Sequence, residues 1–383
     1  MTDNSPSDEF PALVGRFEHW LMDQALPLWA NKGLDRVHGG FFDLVNLSGQ
    51  SVAGPKRGRV QGRQSWVFAL AGTMRWRGPW QDITRQGLDF ALSRRRKDGQ
   101  IPCLIANDGS VLDETATLYD QTFFLLALSE ALKLFPDRHD LREAAHLIHR
   151  TTVTTRRNPV GGFAESAEQV FQSNPHMHLL EATLAWREVE PGGIWDSLAD
   201  EVAELGLTRL MDRNGAIREF YDAQWYPVAG TAGRSVEPGH QFEWAWLLGR
   251  WAKLRGNADA DKPARRLFEI GSKGVDPKRG VAMDELDDEF RPVRSTARLW
   301  PQTERLKSAL AFMTASEGET RRYYSDQALA AAKTLWRYLE TPVPGLWRDR
   351  MLPDGDFVDE PSPASTFYHL VCAIQVMKEI IRA

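Results

Sequence analysis

Apolar and polar positions along the chain form two kinds of helical pattern. The spacing of apolar residues predicts twelve helices, at 9–30, 60–77, 80–97, 118–134, 138–155, 175–189, 193–212, 238–255, 260–273, 300–316, 321–340 and 364–382. The even-numbered helices are apolar all round, as in FFLLALSEAL, whereas the odd-numbered ones, such as LREAAHLIHRT, are amphipathic. Apolar helices belong inside a protein and amphipathic helices outside, so the pattern predicts six inner and six outer helices.

A turn glycine followed by a short apolar run recurs between these helices. The glycines that lead these segments are Gly40, Gly99, Gly162, Gly215, Gly280 and Gly345. Their spacing is 53 to 65 residues, and six units of about 64 residues account for all 383 positions. A repeat that divides the chain evenly indicates a closed ring. We therefore predict an all-α fold, an (α/α)6 barrel with short β-hairpin loops at one end, in a single domain over residues 1–383.

Polar residues recur at one phase of this repeat, near the start of each inner helix. They are Arg63, Asp120, His178, His240, Glu304 and His369. Their separations of 57 to 65 residues follow the glycine spacing. In a closed barrel, residues at one phase of the repeat gather at one end. The sequence therefore predicts that these side chains converge on one cavity.

Two of the histidines differ from the isolated, hydrogen-bonded histidines that are common in protein cores. His178 and His240 each begin a His-x-x-Glu pair, with Glu181 and Glu243, which places both members on one helix face. The glutamate could fix the imidazole tautomer or bind a sugar hydroxyl. The positive end of the helix dipole disfavours an imidazolium, so we expect both histidines to be neutral near pH 7 and able to accept a proton.

Four tryptophans fall near the same end of the repeat, at positions 66, 244, 300 and 347. Aromatic rings stack on the C–H face of sugars, although tryptophan also fills protein cores. Trp300 is the best candidate for ligand contact, because it precedes the proline that starts its helix.

Composition and charge exclude several other classes of function. A net charge of −5 makes the basic run at 94–97 a solvated helix end rather than a nucleic-acid site. The longest apolar run, FFLLAL, is too short to cross a membrane. Two cysteines without metal or redox spacing suit the reducing cytoplasm. No HExxH, Walker or dinucleotide motif is present, so we expect no metal and no cofactor; the sequence says nothing about oligomeric state.

The motifs at these positions resemble the N-acylglucosamine 2-epimerase superfamily, which includes cellobiose 2-epimerases and mannose isomerases. In chain order they are HGGFFD (38–43), VQGRQSW (60–66), LYDQTFFLLAL (118–128), NPHMHLLEA (174–182), EPGHQFEWAWLL (237–248), LWPQTERLKSA (299–309) and STFYHLV (365–371). The resemblance covers nearly the whole chain. It implies an (α/α)6 barrel and a cofactor-independent enzyme that isomerises or epimerises a monosaccharide.

The resemblance also implies roles for individual residues. His240 and His369 correspond to the pair of catalytic acid/base groups. Together with the phase of the repeat, it gives as substrate-binding candidates Arg63, Asp120, His178, Glu243, Trp300 and Glu304.

The WPQTE and EPGHQFEWAW segments favour the mannose isomerase branch. We therefore expect interconversion of an unphosphorylated aldose and ketose, of the mannose–fructose type, through a cis-enediolate. The alternative is 2-epimerisation of mannose, glucose or an N-acylhexosamine, with one histidine on each face of C2. A glycoside hydrolase with Asp120 and Glu304 as its carboxylate pair would leave the histidines unexplained. A phosphorylated substrate is a further alternative, because the basic residues Lys56, Arg57 and Arg59 lie near Arg63.

Overall fold

The helices of the protein match the predicted number and order. The computed structural model describes residues 6–166 and 170–382. In chain order its helices are α1 (Pro6–His19), α2 (Leu26–Lys32), α3 (Gly58–Thr73), α4 (Trp80–Leu92), α5 (Leu118–Leu134), α6 (His139–Thr155), α7 (Ser173–Val189), α8 (Ile194–Leu205), α9 (Pro238–Arg255), α10 (Asp261–Lys273), α11 (Trp300–Thr314), α12 (Gly318–Tyr338) and α13 (Ala364–Arg382). A π-helical turn at Trp20–Ala25 joins α1 to α2, so these two make one outer helix.

The apolar helices form a closed ring. Each of α3, α5, α7, α9 and α11 packs against the next inner helix, and α13 packs against both α11 and α3. The amphipathic helices α4, α6, α8, α10 and α12 each pack outside the inner helix that precedes them, and α1 packs against α13. The predicted (α/α)6 barrel is confirmed. One cluster of buried side chains runs from Leu13 to Met377, which supports the proposal of a single domain.

Three of the predicted helices are too long, each for a local reason. Helix α3 ends at Thr73 rather than 77, because Arg75 adopts a left-handed conformation with φ of 66°. Helix α4 ends at Leu92 rather than 97, because the Arg94 side chain binds the carbonyl oxygen of Phe90 and caps the helix. Helix α8 ends at Leu205, and a π-helical turn continues it to Leu210.

Short antiparallel strands lie at the end of the ring where the inner helices begin. They are β1 (Leu44–Val45), β2 (Ser51–Val52), β3 (Lys56–Arg57), β4 (Leu104–Ile105), β5 (Val111–Asp113), β6 (Phe171–Gln172), β7 (Phe220–Tyr221), β8 (Glu285–Leu286), β9 (Pro292–Arg294), β10 (Ala297–Arg298), β11 (Arg350–Met351) and β12 (Ser362–Pro363). The pairs β3–β4, β6–β7 and β10–β11 connect consecutive units. The pair β1–β12 connects the last unit to the first, which closes the strands around the barrel mouth as well.

A buried side chain at or just before the start of each inner helix holds the loop after each repeat glycine. Gln61 accepts a hydrogen bond from the backbone N–H of Phe41 at 2.7 Å and donates one to its carbonyl oxygen at 3.0 Å. Equivalent contacts recur around the ring in the pairs Gln121–Ile101, His176–Phe163, Gln241–Ile217, Gln302–Ala282 and Ser362–Trp347, of which His176 binds only the N–H. We call Gln61, Gln121, His176, Gln241, Gln302 and Ser362 the anchor side chains.

The repeat glycines are required by the turn that brings each loop to its anchor side chain. All six have positive φ, between 70° and 92°. At Gly40 an added Cβ would lie 2.6 Å from the Gln61 side-chain oxygen as well as in a left-handed conformation. The glycine period seen in the sequence therefore marks the backbone turn of each unit. None of the described helices is long and apolar enough to span a membrane.

We predict that Gln302→Leu lowers the free energy of unfolding by about 2–4 kcal/mol, because the buried N–H and C=O of Ala282 would lose their partners. Denaturant unfolding measures this change. Gln375→Leu is the matched control, since Gln375 also lies on an inner helix but bonds only to Glu379 at the surface. Equal effects of the two substitutions would contradict the anchoring role of Gln302.

Candidate active site

Two histidines from different inner helices contact one tryptophan at the barrel mouth. His240 lies in the first turn of α9, His369 in the second turn of α13, and Trp300 begins α11. The ring of Trp300 lies 4.9 Å from the His240 ring and 5.5 Å from the His369 ring, between centroids. Both imidazoles are almost completely buried. The two imidazoles of the proposed catalytic pair thus contact the same aromatic side chain.

His240 is held by a carboxylate, Glu219, that is not among the predicted site residues. Its Nδ1 lies 2.8 Å from Glu219 Oε2, and Glu237 is 3.9 Å away. Burial alone would lower the pKa of His240, but the charges of Glu219 and Glu237 overcome it and raise the pKa to about 9. The expectation of a neutral His240 was therefore wrong. Nearby carboxylates outweigh the helix dipole, and His240 is an imidazolium at pH 7.

His369 has the opposite protonation state. Its Nδ1 lies 2.8 Å from Glu304 Oε1, yet burial and the positive charges of Arg63 and Lys307 hold its pKa well below the usual value. His369 is therefore neutral at pH 7. When Glu304 is ionised it accepts the Nδ1–H, which leaves the lone pair on Nε2, where it can take a proton. Titratable groups with such divergent pKa values are typical of acid/base catalysis.

Arg63 supplies positive charge next to His369. Its guanidinium donates to the Tyr119 hydroxyl at 2.8 Å and to the Ser365 carbonyl oxygen at 3.0 Å, and it lies 3.9 Å from the ring centre of Phe123. Its buried Nε has no hydrogen-bond partner among the described residues. This arginine can therefore donate to an oxygen of a bound sugar.

His178 and Glu243 lie on the neighbouring inner helices α7 and α9. The pKa of His178 is lowered to about 4 by burial, which agrees with the expected neutral state. Its Nδ1 lies 3.2 Å from Glu181 and 3.7 Å from Glu243. Glu243 is fully buried and both of its oxygens lack hydrogen-bond partners among the described residues. Burial and the charge of Glu304 raise the pKa of Glu243 well above its usual range, so it is a neutral carboxyl that can donate a hydrogen bond.

Asp120 lies at the edge of this cluster. Its carboxylate accepts a hydrogen bond from Arg59 at 3.3 Å, and burial raises its pKa. The adjacent Tyr119 faces inward instead, with its hydroxyl on Arg63 and its ring 5.4 Å from that of His178. The Asp120 carboxylate is therefore engaged by Arg59, while its neighbour Tyr119 contacts two of the predicted site residues.

Carboxylates form a second periodic set at the barrel mouth. Each lies two residues after a residue held by an anchor side chain, and we call them the mouth carboxylates: Asp43, Glu165, Glu219, Asp284 and Asp349. The first four accept hydrogen bonds from backbone N–H groups at the starts of inner helices, and Asp349 accepts one from the Thr366 hydroxyl. Cys103 occupies the sixth position. This repeat is visible in the sequence and is the signal that would have identified Glu219.

The arginines at the mouth are already paired with carboxylates. Arg57 contacts Asp43, and Arg298 lies 2.8 Å from Glu237 and 3.1 Å from Asp284. Lys56 is buried and lies 2.7 Å from Asp35. The basic side chains that suggested a phosphorylated substrate are therefore already engaged in ion pairs within the protein.

Three groups of buried or partly buried side chains offer imidazole and carboxylate atoms within 4.8 Å of one another. They are His178–Glu181–Glu243, Glu219–Glu237–His240 and Glu243–Glu304–His369. Positive charges adjoin two of these groups, since Lys307 lies 2.7 Å from Glu304 and Arg298 2.8 Å from Glu237. A metal ligand must also be a deprotonated nitrogen, whereas the Nδ1 atoms of His240 and His369 face carboxylates. A metal-free reaction stays a prediction.

A cavity of about 840 Å³ opens at the opposite end of the barrel, where the inner helices end. Its lining includes Glu130, Arg250 and Gln375. It also includes Glu181 and Cys372, which the cavity reaches from the end of the barrel where the inner helices end. The cluster of polar side chains at the mouth is thus followed, along the barrel axis, by an open cavity rather than by a continuous packed core.

Comparison with known proteins places the chain among sugar isomerases and epimerases. The family model for N-acylglucosamine 2-epimerase (GlcNAc 2-epimerase) matches residues 40–373. A mannose-6-phosphate isomerase from Rhizobium meliloti (strain 1021) is 44% identical over 377 residues, which cover 96% of this chain and 97% of that protein. An N-acylglucosamine 2-epimerase from Rattus norvegicus is 25% identical over 303 residues, 74% of this chain and 72% of that one.

Solved structures share the barrel at low sequence identity. A D-mannose isomerase superimposes with a TM-score of 0.86 at 20% identity, over 98% of this chain and all of that one. A cellobiose 2-epimerase from Spirochaeta thermophila DSM 6192 superimposes with a TM-score of 0.85 at 20% identity, over 100% of this chain and 99% of that one. The protein described above, an enzyme that isomerises or epimerises a sugar, belongs to the N-acylglucosamine 2-epimerase family.

Proposed function

We propose that the protein interconverts an unphosphorylated aldose and ketose, of the mannose–fructose type, with His369 as base and His240 as acid. The observation that carries this proposal is the pair of imidazoles on Trp300 with opposite protonation states. Isomerisation needs a neutral base at C2 and an acid at the neighbouring oxygen at the same time.

In the proposed reaction, Nε2 of His369 removes the C2 proton of the open-chain aldose. The C–H electron pair forms the C1–C2 double bond, and the charge that develops on O1 is stabilised by Arg63 and protonated by His240. His240 then takes the O2 hydroxyl proton while the C2 carbonyl forms. His369 returns its proton to C1, which gives the ketose and restores both histidines.

The ion pairs at the mouth support a substrate without a phosphate group. Arg57, Arg59 and Arg298 each contact a carboxylate, so a phosphate would have to displace an internal partner and face the remaining negative charge. The name of the Rhizobium relative supports the phosphorylated sugar as a second candidate. The names of the epimerase relatives support the alternative outcome, in which His240 donates a proton to C2 and the product is the epimer.

The first test supplies purified protein with mannose or mannose 6-phosphate in D₂O and follows products by NMR. We expect fructose from mannose, and a kcat/KM at least about tenfold lower for the phosphate ester because of the mouth carboxylates. Glucose as the sole product would establish the epimerase alternative. Absence of C2 exchange for either sugar would refute both forms of the proposal.

We predict that His369→Asn lowers kcat by about 10²–10⁴-fold without loss of the fold, because the amide can still bond Glu304 but cannot take a proton. Steady-state kinetics and circular dichroism measure the two effects. His149→Asn on the outer helix α6 is the matched control and should leave kcat unchanged. A His369→Asn rate above a tenth of the original would rule out His369 as the base.

The pH dependence of kcat/KM should report the two histidines. His369 must be neutral, so activity persists to pH values below the usual histidine pKa; His240 must be protonated, so activity falls as pH rises through about 9. Glu219→Gln removes the carboxylate that raises the His240 pKa, and the alkaline limb should move toward neutral pH by at least about one unit. An unchanged alkaline limb in this variant would show that His240 is not the group being titrated.

A further inference from the structure

Lys307 is a buried ammonium group for which the reaction above has no direct use. It lies on α11 one turn after Glu304 and is completely buried. Its Nζ lies 2.7 Å from Glu304 Oε2, 3.6 Å from the Cys372 sulfur and 3.9 Å from the ring centre of Trp246. Lys307 is linked to a proposed catalytic histidine through Glu304, whose other carboxylate oxygen contacts His369.

The titratable groups around Lys307 lie on four inner helices. They are Glu181 on α7, Glu243 on α9, Glu304 on α11 and the Cys372 thiol on α13. Arg63 on α3 adds a second positive charge near His369. Burial raises the pKa of Glu304, and the positive charge of Lys307, 2.7 Å away, is the strongest influence in the opposite direction. Removing one member of a buried ion pair leaves an uncompensated charge, so a lone Glu304 would take up a proton.

The protonation of Glu304 decides which nitrogen of His369 carries the hydrogen. An ionised carboxylate can only accept, so His369 must direct Nδ1–H at Glu304 and keep the Nε2 lone pair for the substrate. A neutral carboxyl can donate to Nδ1 instead, which moves the imidazole proton to Nε2. His369 would then be unable to remove a proton from C2.

We propose that Lys307 is a positioning residue that keeps Glu304 ionised and so holds His369 in the tautomer with a free Nε2. The inference rests on the proposed function for its consequence in catalysis. The tautomer itself can be measured without any sugar. Failure of the proposed reaction and failure of this inference are therefore separable.

The test compares Lys307→Gln, which keeps a hydrogen-bond donor but no charge, with Lys307→Met, which keeps neither. Nitrogen-15 NMR of labelled histidine reports the tautomer, and His369→Asn identifies the His369 signals. Lys378→Gln is the matched control, since Lys378 is also buried and paired with a carboxylate, Glu18, but lies away from the site. Melting curves establish that each variant is folded.

For both Lys307 variants we expect the Nε2–H tautomer of His369 near pH 7, reverting to Nδ1–H as pH rises and Glu304 ionises. With the substrate identified in the first test, kcat should fall at least about tenfold with KM nearly unchanged, and the acid limb should move to higher pH. Retention of the original tautomer by Lys307→Gln would overturn the inference, and so would an unchanged acid limb. If Lys307→Met does not fold, the Lys307→Gln spectra decide alone.

Discussion

The double hydrogen bond from an anchor side chain to the loop of its own unit is the constraint on which the site depends. A loop that leaves a glycine turn carries backbone groups that must be satisfied when they are buried. Gln61 satisfies the backbone N–H and C=O of Phe41 and at the same time fixes the position of that loop along helix α3. Because an anchoring contact recurs in every unit, with one hydrogen bond at His176 and two in the others, residues close to it in sequence are brought to one level of the barrel. Arg63 and His240 lie within two residues of an anchor side chain, which is why they reach the same mouth.

The same contact also places the mouth carboxylates, and these set the charge of the site. Glu219 follows its anchored residue by two positions and therefore reaches His240, whose positive charge it stabilises. Glu304 instead belongs to an inner helix and shares its charge between His369 and Lys307. The two histidines thus differ in protonation because one faces a carboxylate with few competing cations and the other lies among cations.

The sequence predicts the barrel well because helical period, repeat length and glycine spacing are all local patterns. The predicted bounds of the inner helices differ from the observed bounds by only a few residues. His178, His240, Glu304 and His369 come together because they share one phase of that repeat, and Glu243 and Trp300 lie within four residues of members of that set. The charge state of His240 could not be predicted, since it depends on Glu219, which lies 21 positions away and contacts it only across the fold. The role of Lys307 could not be predicted either, because no local sequence pattern distinguishes a buried lysine that faces a carboxylate from one at the surface.

The closure of the ring has a consequence for biosynthesis. Arg63 binds the carbonyl oxygen of Ser365, 302 positions later, and β1 pairs with β12. A nascent chain therefore carries its first unit to the ribosome exit with these partners still untranslated. Most of the polypeptide must be held in an incomplete arc, with its edge helices exposed, until the final segment is released.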